Sequence, residues 1–297
     1  IGSTDTHSAT PGAAEEANYT GHLGRRDSGY RNVQDHFFSN PGGHAVVWAE
    51  ENSRDALFDA MERREVFGTS GPRIRPRLFG GWGFSPELCR AESPVGEADR
   101  SGVPMGADLP PRGEAQAPSF VAIAAADPGT ANRPGADLER IQIIKGWVDA
   151  VGETHERVFD VAGDANNGAS VDPNTCSPTG AGAAHLCAVW QDPQFDPDQG
   201  AFYYVRVLEN PPCRWSTLQC QGAGVNPFAD NCAESAAAAT AAAHARGAEG
   251  DVYGKCCIDP AEEPFYTPVI QERAWTSPIW FEPASSEQGR LSAHRSE

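Results

Sequence analysis

The sequence predicts an α+β protein: a loop-rich front with one clear helix, then a mainly antiparallel, sandwich-like β region with long loops. Three observations support this. Short β-like runs recur from about residue 75 onward, separated by Pro, Gly and Asp. Within residues 202–208, Tyr203, Val205 and Val207 alternate with Phe202, Tyr204, Arg206 and Leu208, the period of a strand with two unlike faces. Residues 53–65 instead carry the helical period.

The elements follow in chain order. Residues 1–45 read as loop, crowded with Gly, Pro, Ser, Thr and Asn. Residues 45–49 (AVVWA) read as a short buried strand or the approach to a helix. Ser53 then suits an N-cap, and Ala56, Leu57, Ala60 and Met61 share one helix face. Leu57 and Met61 are expected to be buried where this helix meets the β unit. Gly68 and Gly71 stop the helix and make a tight turn into a strand at Ile74. The later β-like runs fall at 77–79, 120–125, 140–145, 158–161, 202–208 and 275–281. Two stretches read as inserts that add little to a core: 83–118, rich in Pro, Gly and acids, and 233–250, Ala-rich and helical by propensity. The expected division is 1–74, then 75–282, then a disordered tail at 283–297.

Lys and Arg number 23 and Asp and Glu 41, a formal net charge of −18. Such a surface repels phosphate backbones and anionic lipid, which argues against nucleic acid as partner. Apolar runs such as 120–126 are far too short to span a bilayer, so no membrane insertion is expected. The chain begins at Ile1 with no signal peptide in view and reads as a processed chain or a fragment. Eight cysteines, at 89, 176, 187, 213, 220, 232, 256 and 257, crowd the second half. Their even number favours disulfides and a periplasmic or secreted location. Zinc fits less well, because pairs spaced by two to four residues are missing and Cys256 adjoins Cys257.

Asp5-Thr6-His7 is the sharpest chemical feature. In an extended segment, residues i and i+2 face one side, so a carboxylate and an imidazole could grip one divalent ion, with zinc, manganese and iron all suited. On spacing alone, an Asx-type turn with an exposed His is the simpler reading. His22, flanked by Gly21 and Leu23-Gly24, could orient substrate or act as an acid, or be an exposed loop His. Arg73, after Gly71-Pro72, could clamp an anion, or simply lie on the surface. Glu50 and Glu51 precede the helix and suit its positive end. Ser70 lacks the G-x-S-x-G setting of a nucleophile elbow. Trp147, Trp190, Trp215, Trp275 and Trp280 suit packing better than a carbohydrate platform.

The wider text sharpens the first of these. Residues 1–7 (IGSTDTH) resemble the last motif of PHP-type phosphoesterases, a barrel strand ending in a small-residue turn and Asp-x-His. WAEENSRDALFDAMERREVFGTSGPRI (48–74), LERIQIIKGWVD (138–149), FYYVRVLENPPCRWS (202–216) and QERAWTSPIW (271–280) resemble segments of a PHP-related bacterial family, domain of unknown function 3604. The resemblance implies that residues 1–74 are the C-terminal end of a PHP-like distorted α/β barrel, with the β-rich region as an extension. It implies a metal-dependent hydrolase of a small anionic ester, phosphoester-type, with Asp5 and His7 as metal ligands. The chain has no His-x-His, the first metal motif of such enzymes, so it is expected to be the C-terminal fragment and inactive alone. Two alternatives stay open: a non-catalytic β-rich module with a vestigial metal site, and a metallohydrolase of another ester or an amide.

Overall fold

The computed structural model describes residues 2–7, 9, 12, 14, 16–19, 21–22, 29–111, 117–131 and 134–283. Ile1, Leu23 and Gly24, residues 112–116 of the expected first insert, and the expected tail beyond Pro283 lie outside them. The elements in chain order are α1 (Gly29–Asp35), β1 (His44–Val47), α2 (Arg54–Glu62), β2 (Val66–Thr69), β3 (Arg75–Gly81), α3 (Pro94–Ser101), β4 (Val103–Pro104), β5 (Ser119–Ala125), β6 (Leu138–Val148), β7 (Thr154–Gly163), β8 (Ser170–Asp172), β9 (Ser177–Thr179), β10 (His185–Gln191), β11 (Ala201–Glu209), α4 (Trp215–Gly222), α5 (Cys232–His244), β12 (Arg273–Thr276) and β13 (Ile279–Phe281).

The alternation read at 202–208 is realised in β11, where Ala201, Tyr203, Val205 and Val207 are buried and the residues between them are half-buried. β11 pairs with β6, β12 and β13, and the larger sheet runs β1-β2-β12-β11-β6-β7. The smaller sheet runs β10-β5-β3-β4, and β8 and β9 form a separate hairpin. Every pair of these strands is antiparallel. The two sheets share one core: Leu78, Phe120, Ala122 and Ala124 from one meet Ile141, Ile143, Tyr203, Val205 and Val207 from the other. The expected run at 275–281 is two strands, broken at Ser277-Pro278, where Pro has no N–H to give a ladder.

Lys145, Asp192 and Tyr203, polar groups buried in this core, satisfy one another, as burial requires. Lys145 Nζ donates to Asp192 Oδ2 at 2.6 Å and to Gln194 O at 2.7 Å. The Tyr203 hydroxyl donates to the same Asp192 oxygen at 2.7 Å. On β6, Gln142 bridges Arg206 and Asp160, each at 2.7 Å. Gly146 is required by packing, since a Cβ there would lie 2.2 Å from the Phe202 ring.

The protein is therefore mixed α and β with mostly antiparallel sheets. No sheet among the described residues closes into a barrel: β1 and β2 are antiparallel neighbours of β12 in the open larger sheet.

The helix at α2 starts as expected, with Ser53 Oγ accepting from Ala56 N at 3.2 Å. Its burial differs from expectation. Ala60 alone is buried, Leu57 is half-buried, and Met61 and Phe58 are 50% and 61% exposed. The helix packs against β1, with Phe58 and Met61 facing outward. The two stretches read as inserts also do more than expected. Phe84, Leu88 and Ala98 form a third core with Phe79 and Val121. The Ala-rich α5 buries Ala236 and Ala243 in a second core with Tyr19, Val33, Phe37, Trp215 and Val252.

All eight cysteines are paired: Cys89–Cys187, Cys176–Cys213, Cys220–Cys256 and Cys232–Cys257. Four disulfides fit an oxidising environment. No helix among the described residues is long and apolar enough to cross a membrane.

Candidate functional site at the N-terminal loop

The first residues run against the rim of the larger sheet. Gly43 N donates to Ser3 O at 2.7 Å. The approach leaves no room for side chains, for a Cβ on Gly43 would lie 1.9 Å from Thr69 O. Past Ser3 the chain turns instead of continuing as a strand. Asp5 has φ 52°, in the left-handed region that Asp tolerates better than most residues. The extended geometry expected of Asp5 and His7 is thus replaced by a turn. That turn closes with His7 Nδ1 at 2.8 Å from Asp5 O.

The His7 bond fixes a tautomer. A carbonyl oxygen only accepts, so Nδ1 donates and Nε2 of the neutral ring is left with a lone pair. His7 N also donates to His22 O at 2.6 Å, which joins two loop segments fifteen residues apart. The His7 and His22 rings lie 6.4 Å apart, centre to centre. His22 Nδ1 is held by the Tyr19 hydroxyl at 3.2 Å, so this ring too turns Nε2 away from its anchor. Tyr19 in turn packs edge-on against the fully buried Trp215, at 4.9 Å, and Trp215 Nε1 donates to Ser39 O at 2.8 Å.

The structure therefore brings His7 and His22 together with Asp5 beside them in the same turn. Arg73 is exposed on a neighbouring turn, where its backbone N–H donates to Asp127 Oδ2 at 2.7 Å. That turn abuts the loop, since a Cβ on Gly71 would be 2.6 Å from Ala14 O. Ser70 is committed elsewhere, its hydroxyl donating to Glu272.

Beneath the loop lies a group that sequence reading missed. Glu16 accepts the Trp215 N–H, and Glu209, Glu272 and Arg214 are buried around it. Burial first, then the neighbouring Glu272 charge, pushes Glu16 up to about 8. Burial also raises Glu272, and it raises Glu209 well above the usual carboxyl range. These residues are scattered over more than 250 positions, and no spacing rule connects them.

A family described as protein of unknown function (DUF3604) matches residues 1–241. The chain belongs to that family. No curated protein and no solved structure matches it.

Elsewhere in this DUF3604 chain, one trio among the described residues has metal-ligand spacing: Asp149, Glu153 and His155, with ligand atoms within 4.8 Å of one another. Its bonds describe a turn cap at the β6–β7 hairpin. Asp149 Oδ1 accepts from Val151 N at 3.0 Å and Glu153 N at 2.9 Å, and Oδ2 meets His155 Nε2 at 2.8 Å. These hydrogen bonds, His155's first, hold the Asp149 carboxyl below its usual range.

Proposed function

We propose that this chain contributes to a metal-dependent hydrolase of small anionic esters, phosphoester-type, with Asp5 and His7 as ligands of a divalent ion. The carrying observation is the His7 bond, which spends Nδ1 on Asp5 O and leaves Nε2 for an ion, the usual arrangement of a metal-binding imidazole. The likeness of residues 1–7 to the last metal motif of PHP-type phosphoesterases supports the same reading, and with it a PHP relationship for the family. The donors fit the group: a carboxylate oxygen and an imidazole nitrogen suit zinc, manganese or iron. Two ligands leave an ion mostly hydrated, so the reading calls for further ligands from outside the described residues.

When bound, such an ion lowers the pKa of a coordinated water and neutralises charge growing on an ester oxygen. The chain's own residues supply the rest. With the Tyr19 hydroxyl as donor to His22 Nδ1, the ring carries its proton on Nε2, the form that can donate to a leaving or substrate oxygen. Arg73 offers a charged fork to the anionic group from the adjoining turn. The paired cysteines support an oxidising compartment for this reading, in the periplasm or outside the cell.

The test is a panel of chromogenic phosphate, sulfate and carboxylate esters with added manganese or zinc, run on the longest encoded form of the protein. Phosphate esters should turn over fastest. Asp5→Ala and His7→Ala should each lower kcat/KM by at least about 100-fold, while Arg73→Ala acts mainly on KM. Metal-independent turnover, or a rate unchanged in both ligand variants, would defeat the proposal.

A further inference from the structure

The tryptophans do not all share one role. Trp147 and Trp190 pack against the first core, and Trp215 fills the second. Trp280 does neither: it is 39% exposed, on the face of the larger sheet that turns away from the core. Its main chain is nevertheless held on both flanks, paired with Phe202 of β11 on one side and hydrogen-bonded to Ala107 and Leu109 on the other. Directly opposed residues of an antiparallel pair share a face, as do alternate residues of one strand. Trp280 therefore shares its face with Phe202, and Phe202 with Tyr204 and Arg206. The Phe202 ring centre lies 5.2 Å from that of Trp280 and 6.3 Å from that of Tyr204, and the Phe202 and Tyr204 planes are within 17° of parallel. Gly146 on β6, opposite Phe202, gives up the space into which that ring leans.

A polar row stands beside the three rings. Arg206 Nε donates to Gln142 Oε1 and Gln142 Nε2 donates to Asp160 Oδ1, each at 2.7 Å, and Arg140 Nε meets the same Asp160 oxygen at 3.2 Å. These bonds fix the row in place before any ligand arrives. Glu156 lies across β6 from the rings, opposite Gly146. Neither its carboxylate nor the Tyr204 hydroxyl has a hydrogen-bond partner among the described residues. We propose that this outer face binds a neutral polysaccharide, its sugar rings stacked on Trp280, Phe202 and Tyr204 and its hydroxyls meeting the Tyr204 hydroxyl, Glu156 and the outer nitrogens of Arg206.

Shape and charge select that occupant. The C–H face of a sugar ring is flat and weakly positive, the complement of the negative face of an aromatic ring. Sugar hydroxyls both donate and accept, which suits a phenol, a carboxylate and a guanidinium side by side. On this face of β6, β7 and β11 the charges cancel, Arg140 and Arg206 against Glu156 and Asp160, so a ligand without charge fits it. The net charge of −18 repels an anionic chain, and equally a second copy of this protein. The rings sit at the start of β11, whereas Glu209, at its end, lies beneath the N-terminal loop. Glycan binding therefore stands whether or not Asp5 and His7 hold an ion.

Affinity electrophoresis of the full chain tests it, in native gels cast with β-glucan, xylan or galactomannan, and with polygalacturonate as the anionic counterpart. At least one neutral polysaccharide should retard the chain. Trp280→Ala should weaken that binding on the order of tenfold, about the worth of one stacked ring. Tyr204→Phe should lose about threefold with its hydroxyl, and it serves as the readout if Trp280→Ala does not fold by circular dichroism. Phe58→Ala, which removes an exposed aromatic from α2, should bind as wild type does. Retardation by none of the neutral polysaccharides, or a loss in Phe58→Ala as large as in Trp280→Ala, overturns the proposal. Tighter binding of polygalacturonate than of any neutral chain does so too. So does a dimer in sedimentation that Trp280→Ala disperses, for the occupant of the face would then be a second copy.

Discussion

In the core between the sheets, large side chains do the packing: Phe120, Tyr203, Ile141, Ile143 and Leu138 are each essentially fully buried, and two ladders of backbone hydrogen bonds frame them. The second core is made differently. Its longest element, α5, presents Ala236 and Ala243, side chains too small to bury much area. Two disulfides, Cys220–Cys256 and Cys232–Cys257, tie α4 and α5 to the adjacent pair Cys256-Cys257. Aromatic side chains such as Trp215, Phe37 and Tyr266 fill this core from other elements, and the covalent ties hold the small-residue helix α5 against them, much as small domains depend on disulfides. The N-terminal loop docks on this second core, through Tyr19 and Trp215, so the candidate site rests on the part of the molecule that disulfides hold.

The comparison can be broken at either core. The largest effect is expected at the buried polar point of the first. Asp192→Ala leaves Lys145 buried without its counter-charge and removes the acceptor of the Tyr203 hydroxyl. The expected loss is about 3–5 kcal/mol, read from chemical denaturation. A loss below about 1 kcal/mol would mean that water replaces the carboxylate, and that this core is less closed than described.

A smaller loss is expected in the second core. Replacing Cys232 and Cys257 together by Ser opens a 25-residue tie and should cost about 3 kcal/mol. The same change should weaken the docking of Tyr19, seen as faster hydrogen exchange at Glu16 to Tyr19, while β6 and β11 keep their protection. Equal loosening of both cores would show that they unfold as one unit, and that the division drawn here has no thermodynamic content.

The strands of the first core were legible in sequence because burial on one face leaves an alternating pattern, as at Tyr203, Val205 and Val207. Helix α2 was legible from the Ser53 cap, but the burial of Met61 was misjudged, because helical spacing marks an apolar face without saying what covers it. The second core was hardly legible: α1 and α4 are short, and Ala-rich α5 has no pronounced apolar face. For the site, residue type and spacing singled out Asp5, His7 and His22. Tyr19 and Trp215, which position His22, gave no such signal, since their contact spans nearly two hundred residues. Glu16, Glu209 and Glu272 gave no signal, because sequence does not reveal which acids folding buries.

If Asp5 and His7 hold a metal ion, the longest encoded form must carry it. Elemental analysis of the longest encoded form, beside Asp5→Ala and His7→Ala, tests it most directly. Tightly held zinc, manganese or iron is expected in the parent, with a loss of at least about tenfold in metal affinity in each variant, as removal of a ligand requires. If both variants keep the parent's full metal content, Asp5 and His7 are turn residues, and the metal reading of this loop is wrong.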